Sequence, residues 1–292
     1  MPKPAEAPVR LIVNADDLGW SDGVTAGILR AHREGIVTSA TLAANMPAAA
    51  EAIDAAAEAG DLGVGVHLNA CQGPALSQAG RRELAAHAGR MDATASRLVR
   101  AIVLRPRRVL PAVEAEFAAQ IEFCLERGLR PTHVDSHRHA HAWPSVFRLV
   151  RRLCERYDIP WIRRHRERPA WLGGFWGRAP ARQRRTSRQL NLLGAVCRRL
   201  GRERLATEGT IGVAHTGRLR PELLCEALGR VGPGATEIMA HPGYAEGLSA
   251  GQTRLLADRE KEMDALCDPR PRRVLDGRGI ELIHYGRLHP AP

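Results

Sequence analysis

No stretch of this 292-residue sequence approaches the roughly 18 consecutive apolar residues that a membrane-spanning helix needs. An integral helical membrane protein is therefore not expected. Nor is a secretory signal, because the early apolar run Leu11-Ile12-Val13 is short and leads straight into Asp16 and Asp17. Cys71, Cys124, Cys154, Cys197, Cys225 and Cys267 show no CxxC spacing, and several stand inside apolar patterns where a reduced thiol behaves as a small hydrophobe. The expectation is a soluble protein of the reducing cytoplasm, at most peripheral to the inner face of the membrane. Lysine is nearly missing: Lys3 and Lys261 are the only two among 43 basic residues, against 32 acidic ones. The net charge of +11 is also unevenly spread. Thirteen arginines lie between Arg163 and Arg204 with only Glu167 and Glu203 among them, a local balance of +11 that equals the whole excess. A general nucleic-acid-binding protein more often distributes its basic surface, so nucleic acid is not an expected partner.

Histidine, in contrast, is concentrated in one place. The stretch Thr132 to Pro144 carries His133, Asp135, His137, His139 and His141 at every second position. An extended strand would start all five on one face, whereas a helix would scatter them. A helix-like segment ending at Gly128, then Pro131, precedes the run, so a short strand opening into a loop closed by Pro144 is expected. Neutral imidazole and carboxylate are ligands of zinc and other borderline divalent ions. A surface histidine cluster is the plain alternative, and the alternate spacing with an embedded aspartate favours a metal or catalytic site over it.

Short apolar runs alternate with helical patterns along the rest of the chain. Strands are expected at Val9 to Val13, Ile36 to Leu42, Gly63 to Leu68, Pro160 to Ile162, Glu237 to Met239 and Glu281 to Ile283. Helices are expected at Val24 to His32 (capped by Ser21 or Asp22), Ala48 to Ala59, Glu114 to Arg127, Val146 to Tyr157, Glu222 to Leu228 and Arg254 to Leu266. Such alternation implies a parallel sheet, and this many repeats in this length imply an α/β fold of one domain over 1–292, a (β/α) barrel like the TIM barrel, distorted or incomplete. The basic segment at about 163–204 reads as an insertion.

Chemistry in such barrels collects where strands end. That rule selects Asp16 and Asp17 after the first strand, His67 on a later one, the histidine cluster on the central one, and His241-Pro242-Gly243-Tyr244 near the last. One carboxylate of an adjacent pair can bind a metal while the other takes a proton from water.

These residues carry a resemblance. Val13 to Gly19, Gly35 to Thr41, Gly65 to Asn69, Pro131 to His141 and Glu237 to Tyr244, in that order, resemble the serial motifs of the YdjC-like carbohydrate deacetylase family. Its members include chitooligosaccharide deacetylases (ChbG type) and hopanoid-associated proteins (HpnK type). The resemblance implies a metal-dependent hydrolase that removes an acetyl group from an N-acetylated amino sugar, oligosaccharide or lipid-linked. It also implies one divalent ion, magnesium or zinc, held by Asp17, His67 and His137, with Asp16 as base and His241 as the acid. Asp135 would orient a histidine ligand or the base, Arg163 would pair with a catalytic carboxylate or grip the sugar, and His133, His139, His141 and Tyr244 would support the site or contact substrate.

Leu18, Trp20 and Ala70-Cys71 depart from the commoner family pattern at positions bordering the pocket, so the resemblance does not fix the sugar. Trp171, Phe175 and Trp176 beside the arginines suit a sugar platform, a lid or a membrane-surface contact, and a solvated basic face is the plain alternative. Peripheral membrane contact and a homodimer are the partnerships left open beside the sugar. Gly247 to Gly251 matches GxSxG but lacks the strand before it that a nucleophile elbow needs. A glycoside hydrolase using two carboxylates and no metal, and a nonenzymatic basic membrane- or nucleic-acid-binding protein, are the alternative functions.

Overall fold

A computed structural model describes residues 7–251 and 253–288. The chain opens with two strand-helix steps and a third strand: β1 (Val9–Leu18), α1 (Asp22–Arg33), β2 (Ser39–Leu42), α2 (Ala49–Ala57) and β3 (Gly63–Leu68). Ser21 starts α1 by accepting the Val24 N–H on its hydroxyl. An excursion follows, with β4 (Gln72–Pro74), α3 (Gln78–Glu83), β5 (Ala85–His87), β6 (Arg90–Asp92) and then α4 (Ala95–Leu104) and α5 (Pro106–Glu126). The barrel pattern resumes with β7 (His133–Ser136), α6 (Pro144–Arg156) and β8 (Trp161–Ile162). The basic segment holds α7 (Pro169–Leu172), α8 (Phe175–Arg178) and α9 (Ala181–Gly201). After it come β9 (Thr210–Ile211), α10 (Pro221–Arg230), β10 (Gly234–Ala240), α11 (Ala257–Cys267), α12 (Pro269–Arg278) and β11 (Glu281–Leu282).

The strands run parallel in the order β8-β7-β3-β2-β1-β10-β9, with β11 also paired to β1. β4, β6 and β5 form a separate antiparallel sheet. β2, β3 and β7 are buried at every residue, as parallel strands covered by helices should be. The main sheet curls without closing by strand pairing. Between β8 and β9 the irregular stretch after Ile162 spans the gap: the Thr210 N–H donates to the Arg166 carbonyl at 3.3 Å and its hydroxyl to the Arg164 carbonyl at 2.8 Å. The expected barrel is thus an incomplete one.

The histidine run departs from its expected form. β7 stops at Ser136, and His137–Ala142 is a 3-10 turn in which Arg138 and His139 take positive φ of 56° and 57°. Only His133 and Asp135 therefore share a strand face, and strict alternation does not extend to His137, His139 and His141. Trp171 is buried, and Phe175 and Trp176 pack against the core, each of the three under or beside an arginine. They do not line the large groove described below, so the sugar-platform expectation is corrected. All six cysteines are free, four of them buried. Among the described residues no helix is long and apolar enough to cross a membrane.

Candidate active site

The carboxyl ends of five strands converge on one buried polar centre. Asp17 has φ +74°, and the β1–β2 register shifts between Ala15 and Leu18. Successive residues of a regular strand would face opposite ways, and this bulge lets both aspartates reach the same end of the barrel. Arg163, just past β8, grips both oxygens of Asp16 at 2.8 and 2.6 Å. The same guanidinium reaches Asp135 at 2.5 Å and Glu237 at 2.8 Å. Arg259 on α11 donates to Asp17 Oδ2 at 2.5 Å.

That leaves Asp17 Oδ1 buried with no hydrogen-bond partner. It lies 3.4 Å from His67 Nε2 and 3.6 Å from His137 Nδ1, and each residue offers a ligand atom within 4.8 Å of the others. Neighbours set the tautomers. His67 Nδ1 is 2.7 Å from Asp135 Oδ1, so that nitrogen keeps its proton and Nε2, once its own proton is lost, presents the lone pair. His137 Nε2 is 2.8 Å from Gln72 Oε1, which also accepts from Arg138, so Nδ1 is the free nitrogen there. An orphaned carboxylate oxygen and two imidazole nitrogens, all within 4.8 Å of one another, fit a divalent cation. Gln72→Leu is expected to weaken metal binding about 10- to 100-fold, the usual size when a group holding a ligand is lost. Titration calorimetry against zinc reads this directly, and an unchanged affinity would remove Gln72 from the site.

The charges agree with this geometry. Burial works against an ionised Asp16, but Arg163, with His67 and His241 adding to it, more than offsets this and holds the carboxyl well below the usual range. Asp17 is likewise driven down, burial being outweighed by Arg259 and the two histidines. Burial opposes a charged His67, yet Asp135, then Asp16 and Asp17, raise it to about 9. His137 goes down, because burial exceeds the attraction of Asp17.

His241 follows β10. Its backbone N–H donates to Glu262 of α11 at 2.8 Å, and its Nε2 lies 3.9 Å from Asp16 Oδ2. Of the remaining expected residues, His133 stacks on Tyr285 at 3.9 Å between ring centroids. His139 and His141 pack against His165, with His141 Nδ1 on the Ser136 hydroxyl at 2.6 Å. Tyr244 turns to α1, where Arg30 donates to its hydroxyl at 3.3 Å, and does not join the centre.

Arg259, Glu262, Gln72, Glu237 and His165 were not anticipated from sequence. The first two had a signal: Arg259, Glu262, Met263 and Leu266 fall on the buried stripe of α11, and a charge at a core position implies a buried partner. A groove of about 1080 Å³ opens beside Gln72, His137 and Arg138, with Leu98, Val99 and Ile102 of α4 on one wall and Leu190, Leu192 and Leu193 of α9 on the other. The basic segment is thus a wall of the groove.

Fold and site together define an incomplete β/α barrel with an Asp-His-His donor set at the carboxyl ends of its strands. The model of the YdjC-like protein family matches residues 10–277, and the chain belongs to that family. A carbohydrate deacetylase of Geobacillus stearothermophilus is 35% identical over 284 residues, covering 97% of this chain and 99% of that one. One from Brevibacillus brevis is 30% identical over 280 residues, covering 96% and 100%. Among solved structures, an Enterococcus faecalis protein named for cellobiose-phosphate cleavage superposes with a TM-score of 0.77 at 24% identity, covering 96% of this chain and 98% of that one, which speaks to the fold alone.

Proposed function

We propose that this protein is a metal-dependent carbohydrate deacetylase that hydrolyses the acetamido group of an N-acetylated amino sugar. The observation that carries the reading is the close set of Asp17 Oδ1, His67 Nε2 and His137 Nδ1, with Asp16 and His241 beside it. Relatives of nearly equal length named carbohydrate deacetylases support it. Two imidazoles with one carboxylate suit zinc better than magnesium, which prefers oxygen donors. When bound, the ion supplies Lewis acidity, polarising the acetyl carbonyl and lowering the pKa of water toward about 7.

The chain's own residues handle the protons. Asp16, kept ionised by Arg163, takes a proton as a water oxygen bonds to the acetyl carbon. His241 then delivers a proton from Nε2 to the amide nitrogen as the C–N bond breaks, giving acetate and a free amine. Arg259 and Asp135 hold Asp17 and His67 in the required orientation. The apolar walls of the groove favour a sugar carried on a lipid, such as a hopanoid conjugate, over a free oligosaccharide.

Acetate release from N-acetylated sugars and glycolipids, with and without chelator, tests the reading. Release that persists after complete metal removal, or no release from any member of the panel, overturns it. His241→Ala is expected to lose on the order of a hundredfold in turnover while keeping its metal, the usual size for a positioned general acid. Unchanged turnover would remove His241 from the mechanism.

A further inference from the structure

Among the described residues, four large apolar side chains stand exposed: Val103 (60%), Leu104 (66%), Leu192 (73%) and Val196 (43%). All four belong to α4 or α9, the two helices that wall the groove. Neither helix contains a carboxylate. Arg105, Arg107 and Arg108 follow Leu104, and Arg185, Arg188 and Arg199 flank Leu192 and Val196. All six are exposed, and none pairs with a carboxylate among the described residues.

We infer that this two-helix rim is a docking surface for an anionic lipid bilayer. Charge complementarity selects the occupant. A second copy would set two pairs of arginine-bearing helices without a carboxylate against each other. Nucleic acid would neutralise the arginines but offer no apolar phase to Leu104 and Leu192. An anionic bilayer does both: lipid phosphates receive the guanidinium groups while the four side chains enter the acyl boundary. Part of the excess charge at 163–204 thus acts together with a second basic stretch, at 97–108. The inference deepens the proposed function, on which it rests for the statement that the groove takes its substrate from that surface.

The test is sedimentation of the full chain with vesicles of phosphatidylcholine, alone or containing phosphatidylglycerol, at low and physiological salt. Binding is expected to the anionic vesicles and to weaken with salt, because exposed charges are screened beyond about 8 Å at physiological ionic strength. Each engaged arginine contributes about fivefold to partitioning, so combined Arg105→Gln, Arg107→Gln, Arg185→Gln and Arg199→Gln should lower it at least tenfold. The triple variant Val103→Ser, Leu104→Ser, Val196→Ser should also weaken binding, while acetate release from a water-soluble substrate stays unchanged. Equal binding to neutral vesicles, indifference to both sets of substitutions, preference for RNA over vesicles, or a dimer that the triple variant dissolves would each overturn the inference. Vesicle binding without deacetylation would instead overturn the proposed function and leave the docking surface standing.

Discussion

His67→Ala protein, shown to be folded, is expected to hold no divalent ion and to lose on the order of a thousandfold or more in acetate release. The ion's stabilisation of transition-state charge is worth several kcal/mol, and each 1.36 kcal/mol is a factor of about ten. His137→Ala should behave alike, because each removes one of the imidazole lone pairs that face the orphaned Asp17 Oδ1. Proton and metal compete for His67 Nε2. Without metal this histidine is raised to about 9, so it is charged at neutral pH and must give up a proton on binding. Affinity should therefore fall as pH falls from about 8 to 6. Calorimetry in buffers of different ionisation enthalpy measures the released proton. Full metal occupancy in both alanine proteins would refute the assignment.

Much of the architecture was legible because parallel strands buried on both faces leave short apolar runs at regular intervals. Asp16, Asp17, His67 and His241 could be singled out since each stands at a strand end, where a barrel exposes its chemistry. The histidine run was harder to read. Its alternation favoured a strand, but two consecutive left-handed residues, neither of them glycine, turn the chain after Ser136, and nothing in His-Arg-His advertises that geometry. The same turn brings His137 toward Asp17 and sends His139 and His141 to His165. Arg259 and Glu262 were hidden differently, because a charged residue on a helix reads as solvent-facing until its stripe is shown to be buried. The excursion from Gln72 to Leu104 lacks barrel periodicity, so neither Gln72 nor the α4 wall of the groove could be anticipated.

Arg163→Met is expected to be the most destabilising single substitution in the site, and its pH dependence should run opposite to that of ordinary acid denaturation. One fully buried guanidinium serves Asp16, Asp135 and Glu237. Breaking a buried ion pair by removing one partner costs about 3–5 kcal/mol, and here three carboxylates are left behind. At about 2–4 °C per kcal/mol for a chain of this size, melting should fall by on the order of 10 °C at pH 7.5. In the native protein Asp16 is held below its ordinary value of 3.8, so its contribution is present above that value and lost only as pH drops through its lower folded value. Without Arg163, burial dominates. Asp16 and Glu237 then titrate above their unfolded values, the folded state binds the extra protons, and stability returns as pH falls from 7 toward 5. Glu237 already shows that direction, since burial raises it even with the arginine present. Buried imidazoles such as His139, held near 3, destabilise both proteins toward acid, so the readout is the gap between the two melting temperatures. That gap should narrow at pH 5.5, and Arg163→Lys, which keeps the charge but not the planar fork, should fall between the two. A gap that stays constant or widens toward acid would mean that uncompensated carboxylates are not what the substitution leaves behind.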